Sequence, residues 1–235
     1  VFSVLVFSLV FSLVFFGPFV RAQPGIAMAP DIMGARLAAC AACHGARGEG
    51  VASAYFPRLA GKPEGYVFNQ LAAFRSGRRR YAPMNYLLKF MPDAYLHAMA
   101  AYFAADHAPL PAIPPATAST EILAHGRMLA TQGDPAHAIP ACIACHNPSY
   151  TGMQPGIPGL LGLQASYISA QLGAWRYGTR TATAPDCMQI VAGHLTEADV
   201  TAVAAWIATL PAPPGAAPIA RGSLVMPLAC GSEPP

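Results

Sequence analysis

Charge is scarce in this 235-residue chain: Asp, Glu, Lys and Arg make up 11% of it, and the formal net charge is only +3. So small an excess gives no ground for a nucleic-acid partner, which needs a concentrated basic footprint. Strand patterning is lacking too. No stretch alternates apolar and polar residues convincingly over strand length, which argues against a sheet-built fold. The opening run, Val1 to Phe16, has no charge and is broken only by serines. It lacks a basic leading segment, and no Cys stands at its end, so a lipoprotein anchor there is disfavoured. Gly17-Pro18 and then Val20-Arg21-Ala22 before Gln23 read as the end of a secretory signal peptide over residues 1–22. The rival is an uncleaved anchor, because Val1 to Val20 approaches the ~20 apolar residues that cross a bilayer. Either reading exports the bulk of the chain.

What is present is a five-residue pattern written twice. Cys40-Ala41-Ala42-Cys43-His44 returns as Cys142-Ile143-Ala144-Cys145-His146. A redox Cys-x-x-Cys pair needs no following His, and a zinc site needs a further Cys or His pair that neither half supplies. Two thiols at this spacing with an adjacent imidazole form the attachment signature of c-type haem: Cys40 and Cys43, and likewise Cys142 and Cys145, add across two vinyl groups, while His44 and His146 become axial iron ligands. The expectation is two covalently attached haem c groups, one-electron chemistry, and a bacterial periplasm as the compartment. Few charges and abundant Ala suit helices packed tightly around a large apolar cofactor.

The surrounding sequence repeats as well. Pro57, Tyr66, Gln70, Phe74, Arg75 and Gly77 recur in register as Pro158, Tyr167, Gln171, Trp175, Arg176 and Gly178. Ala108 to Ala118, with four prolines, reads as a stiff linker between units at 25–107 and 119–211, and a Pro-rich tail occupies 212–235. The fold class expected is all-α. Asp31 caps a helix running into Cys40. Pro63 to Ser76 has apolar residues at helical spacing. Pro92 and Asp93 open a helix to about Ala105, and Thr196 to Asp199 is a capping-box variant opening the last one. Gly34 and Gly126 allow each first helix to cross closely over the last, against Tyr102 and Trp206.

A carrier iron needs a sixth ligand, and a Met thioether from the loop before the last helix is the usual partner. Met84 and Met188 both stand eight residues ahead of their last helix. Met91 is the rival in the first half, and Cys187 and His194 are rivals in the second. Cys187 is also free to form a disulfide with Cys230, the preferred pairing in an oxidising compartment. The carbonyls of Pro57 and Pro158, about a dozen positions past each His, are candidates to accept the ring N–H. Arg75 and Arg176 are candidates to neutralise haem propionates; a turn proline and a solvated arginine are the plainer alternatives. Arg78-Arg79-Arg80, with Lys89, occurs in the first half alone and forms either a docking patch for an acidic partner or a solvated face.

The repeated Pro-x-Leu-x-Gly segments (57–61 and 158–162) and the Tyr-x3-Gln-Leu-x2-aromatic-Arg-x-Gly segments (66–77 and 167–178), with the two haem motifs, resemble the dihaem class I cytochromes c of the c-four type over nearly all of 30–211. The resemblance implies two tandem cytochrome domains, His/Met ligation of each haem, and periplasmic electron carriage to a terminal oxidase or another acceptor. Cys187-Met188 in place of Pro-Met, and the Cys-bearing tail, depart from it. The leading function is an electron carrier with no substrate of its own. It is a shuttle or the cytochrome subunit of a dehydrogenase, and its partners are redox proteins, with membrane association possible. The alternative is a dihaem enzyme, a sulfur-compound oxidase or peroxidase, with unusual ligation at the second haem.

Overall fold

A computed structural model describes residues 32–53, 55–112 and 115–233. The signal-peptide segment and the Asp31 cap lie outside these residues. Among the described residues no helix is long and apolar enough to cross a membrane.

The first half begins with α1 (Met33–Arg36) and α2 (Ala38–His44), which carries the first Cys-x-x-Cys-His. Then come α3 (Glu64–Arg75), the short α4 (Ala82–Leu88) and α5 (Asp93–Ala105). The second half repeats the plan with α6 (Thr120–Gln132), α7 (Ile143–His146), α8 (Ala165–Arg176), α9 (Cys187–His194) and α10 (Glu197–Ile207). Both middle helices end at an Arg followed shortly by a positive-φ glycine, Gly77 and Gly178, which turns the chain back sharply. Linker residues 108–112 and 115–118 are not helical. The Arg58 guanidinium anchors the start of the linker, donating to the carbonyls of Ala108 and Pro109.

Each half has its own core. In the first, Leu37, Phe74, Leu88, Leu96, Met99 and Phe103 are buried together, with α5 lying on α3 and α1. In the second, α10 lies on α6 and α8 around Leu129, Ile168, Leu172, Val203 and Ile207. The first-to-last helix crossing depends on glycine. A Cβ built on Gly126 would lie 2.0 Å from the Ala202 carbonyl oxygen, whereas at Gly34 the nearest atom is the Tyr102 hydroxyl at 3.3 Å. The Thr196–Asp199 capping box is formed, and Asp199 also accepts from His125 Nε2 at 2.7 Å, tying α10 to α6.

The all-α architecture has one small exception. β1 (Gly152–Met153) pairs antiparallel with β2 (Ile157–Pro158). Two-residue strands carry no period-two signal long enough to read in a sequence. The tail adds to this hairpin: Gln154 N–H donates to the Ile219 carbonyl and Ile219 N–H to the Gly152 carbonyl, both at 2.9 Å. The Cys187–Cys230 disulfide, between residues 43 apart in sequence, holds the tail's far end. Met153, Ile157 and Cys230 are buried with Ile219, Leu224 and Met226 packed against them, a third apolar cluster separate from the two cores.

Gly126→Ala is expected to destabilise the protein by about 1–3 kcal/mol through overpacking against backbone. Gly34→Ala faces only a side-chain tip and gains up to ~1 kcal/mol of helix propensity, so it should be near neutral. Denaturant unfolding of both variants checks this, and equal losses would contradict it.

Candidate functional site

Both motif histidines are buried, and each is oriented in the same way. His44 Nδ1–H donates to the Pro57 carbonyl at 2.9 Å, and His146 Nδ1–H to the Pro158 carbonyl at 2.8 Å. The carbonyl fixes the tautomer, leaving Nε2 with its lone pair free to bind a metal. Burial lowers both imidazole pKa values, against the carbonyl bond, and the charges of Arg79 and of Lys62 push His44 and His146, respectively, the same way. The rings are thus kept neutral, the form that ligates iron. The cysteines beside them are unpaired and half-buried. Burial raises the Cys40 thiol and pushes Cys142 up to about 12. Thiols held protonated do not suit a thiolate zinc site or a thioredoxin-like pair, and among the described residues no group of three or more His, Cys, Asp or Glu could hold a metal ion.

Met84 and Met188 do not sit in irregular loops. Met84 lies in the first turn of α4 and Met188 in the first turn of α9, and each packs partly buried against the core of its own half. Met91 packs against the same core as Met84. The Pro83 ring near the start of α4 and the Asp186 side chain, which accepts from Gln189 N–H at 3.1 Å, open these short helices. Cys187 has its sulfur in the disulfide and is not a free ligand.

The halves meet at a seam with approximate two-fold character. Arg80 N–H donates to Thr179 and Thr181 N–H to Arg78, at 2.9 and 2.7 Å. This bridge brings Arg79 and Arg180 face to face, both buried. Arg79 reaches across to the Tyr167 hydroxyl at 2.8 Å and Gln171 Oε1 at 2.7 Å, and holds Gln70 of its own half at 3.0 Å. Arg180 mirrors it with Gln70 at 2.8 Å, Tyr66 at 3.3 Å and Gln171 at 2.9 Å. The two guanidiniums lie over Phe74 and Trp175, at 4.5 and 3.7 Å from the ring centres. Burial lowers the Arg180 pKa, with Arg79 as the second cause. Burial would raise the Tyr66 hydroxyl, but the two guanidiniums override it and lower it.

Arg75 and Arg176 sit elsewhere. Arg75 is committed to the Met91 carbonyl at 2.7 Å and to Asp93, and Arg176 lies over the Tyr177 ring. The Arg78–Arg80 run is likewise not one surface patch, because its middle member is buried in the seam. The sequence did hold the signal. Arg79 and Arg180 each stand five residues past the repeated aromatic, in register, but a three-arginine run masked the match.

Two buried cations facing each other, hydrogen-bonded to the amides and phenols of Gln70, Gln171, Tyr66 and Tyr167, are a costly arrangement unless anions join them. The Trp175 indole N–H is, among the described residues, the one buried side-chain polar group without a hydrogen-bond partner. An orphaned donor beside two buried guanidiniums fits a group bearing carboxylates. A haem joined to the cysteine pairs brings propionates, so the residues present fit that cofactor.

Known proteins agree with this geometry. A family model described as cytochrome c matches residues 33–108 and 124–211. The chain is 40% identical over 182 residues to a protein named thiosulfate dehydrogenase electron acceptor from Thiomonas intermedia, covering 75% of this chain and 81% of that one. It is 37% identical over 175 residues to cytochrome c4 of Pseudomonas aeruginosa, covering 74% and 84%. Among solved structures, reduced recombinant cytochrome c4 from Pseudomonas stutzeri superposes with a TM-score of 0.66 at 30% identity, over 76% of this chain and 96% of that one. A thiosulfate dehydrogenase from Marichromatium purpuratum superposes with a TM-score of 0.64 at 37% identity, over 73% of this chain and 36% of that one. The chain belongs to the cytochrome c family, and it is an electron-transfer protein with the tandem two-domain organisation of the cytochromes c4.

Proposed function

We propose that the protein holds two haems c and relays electrons in the periplasm from a dehydrogenase to a terminal oxidase or another acceptor, either as a shuttle or as a dehydrogenase's cytochrome subunit. The observation that carries this is the duplicated His–carbonyl pair, flanking one seam of buried cations. Cys40, Cys43 and Cys142, Cys145 are the attachment thiols. His44 with Met84, and His146 with Met188, are the axial pairs. A haem bound by these residues would supply one-electron chemistry at its iron. The chain's own part is to orient each imidazole through Pro57 or Pro158, to exclude water, and to neutralise propionates. Arg79 and Arg180, with the Trp175 N–H, take the neutralising role that the sequence suggested for Arg75 and Arg176.

Thiosulfate oxidation is the dehydrogenase chemistry that the relatives favour, since two of them are named electron acceptors of thiosulfate dehydrogenase. The first half is the side for such a partner. Nine of the fourteen Lys and Arg lie within residues 25–107, against five of the eleven Asp and Glu. Tyr86, Leu87 and Phe90, just past Met84, are 82%, 56% and 87% exposed. An apolar centre within a basic half fits a partner whose rim is acidic. The enzyme alternative relied on a free Cys187, and that sulfur is bonded to Cys230.

The purified protein should carry two haems by mass and by pyridine haemochrome absorbance, and Met84→Ala and Met188→Ala should each remove about half of the weak red sulfur-to-iron band. Met91→Leu should leave that band intact; a loss there would move the ligand to Met91. Cys187→Ser with Cys230→Ser should keep the band while lowering stability by about 2–4 kcal/mol, the usual worth of a disulfide. In stopped-flow mixing, thiosulfate should reduce the haems only when a thiosulfate dehydrogenase is present. Tyr86→Ala with Phe90→Ala should slow that reduction without moving either potential. Reduction by thiosulfate alone would instead favour an enzyme.

A further inference from the structure

The chain has two lysines, and they are placed oppositely. Lys89 is exposed, its ammonium 5.0 Å from the Phe90 ring centre. Lys62 is buried, 7% exposed, and its Nζ donates across the seam to the Gly159 carbonyl of the other half. Among the described residues its ammonium makes no ion pair with a carboxylate. The repeat sharpens the oddity. Pro57 to Gly61 corresponds to Pro158 to Gly162, so position 62 corresponds to Leu163, an apolar residue packed against the second core. At this position the duplicated frame therefore holds a buried cation on one side only.

The placement of that cation is specific. Gly159 follows Pro158, whose carbonyl accepts the Nδ1–H of His146. The Lys62 ammonium is thus bound to the next carbonyl along from the one that orients the second half's imidazole. A cation fixed in a poorly screened interior disfavours any nearby gain of positive charge. Oxidation of an iron at His146 is such a gain. His44 has no counterpart of Lys62, because Leu163 is uncharged; the cation near its ring is Arg79 of its own half, which Lys62 substitutions leave in place.

We propose that Lys62 is a positioning residue acting across the domain boundary, raising the reduction potential of the haem held at His146 and leaving that of the haem at His44 unchanged. This rests on the two-haem reading of the preceding section. The groups that bear on the ammonium are Arg58 on its own loop and His146 on α7. Burial first, and Arg58 second, bring the lysine's pKa down to about 7. The amine is therefore charged at pH 6 and largely neutral at pH 9.

Spectroelectrochemical titration of the haem-loaded protein, with haem-methyl NMR to assign each step, tests this. At pH 6, Lys62→Met should lower the second haem's midpoint by about the equivalent of a tenfold change in its one-electron equilibrium, 59 mV, with the first haem unmoved. At pH 9 wild type and variant should converge. Lys62→Arg, charged at both values, should hold the pH 6 potential throughout. Unchanged potentials in Lys62→Met at pH 6, or equal falls at both haems, would overturn the proposal; equal falls would mean a loosened seam. Pyridine haemochrome on the same wild-type samples separates the two failures: one haem per chain removes the two-haem reading and this proposal with it, whereas two haems with an unmoved second potential removes the role of Lys62 alone.

Discussion

Arg79 and Arg180 are buried against each other where the halves join, and neither half can accommodate its own guanidinium alone. Each needs the phenol and amide of the opposite half, so Tyr66, Gln70, Tyr167 and Gln171 act as a shared solvent for two cations. Separating the halves would return each arginine to water, whereas removing a cross-seam partner inside the closed seam would leave a buried charge uncompensated, which is strongly unfavourable. The seam thus ties the half that carries His44 to the half that carries His146. It also concentrates positive charge beside the orphaned Trp175 N–H, where a cofactor's carboxylates fit.

The two halves are copies in framework and differ in environment. The first is rich in Lys and Arg, and an apolar surface stands open beside Met84. In the second, the corresponding segment is covered differently: the tail crosses the β1–β2 hairpin and is clamped to Cys187 at the start of α9. The clamp occupies the sulfur that the sequence offered as a rival to Met188. Lys62 adds a further inequality, a cation contributed by one half to the other. For a carrier, such inequalities matter more than the shared frame, because two identical sites would give electrons no preferred direction.

Much of this was legible in the chain. The Cys-x-x-Cys-His pairs, the repeat, the helical spacing around Tyr66 to Phe74 and the Thr196–Asp199 cap are all local patterns. Gly126 could be placed as well, because a helical glycine opposite a large aromatic of the last helix suggests a close crossing. The seam was harder to read. Arg79 looked like the middle of an exposed basic run, since a linear reading scores a charge by its neighbours in sequence and not by what it is folded against. Arg75 and Arg176 drew attention for the same reason: repetition in register marks a residue as constrained without saying by what.

The sequence by itself determined the chemistry on offer: two thiol pairs, two imidazoles and two placed thioethers, in two mostly helical lobes, because these depend on residue type and on spacing of a few turns at most. Only the tertiary structure decided which charges are buried, which half supplies them, and that Cys187 pairs with Cys230. Those outcomes depend on contacts between residues from about forty to more than a hundred positions apart, and the energy of a charge is set by the dielectric and partners around it, which exist only once the halves have closed on each other.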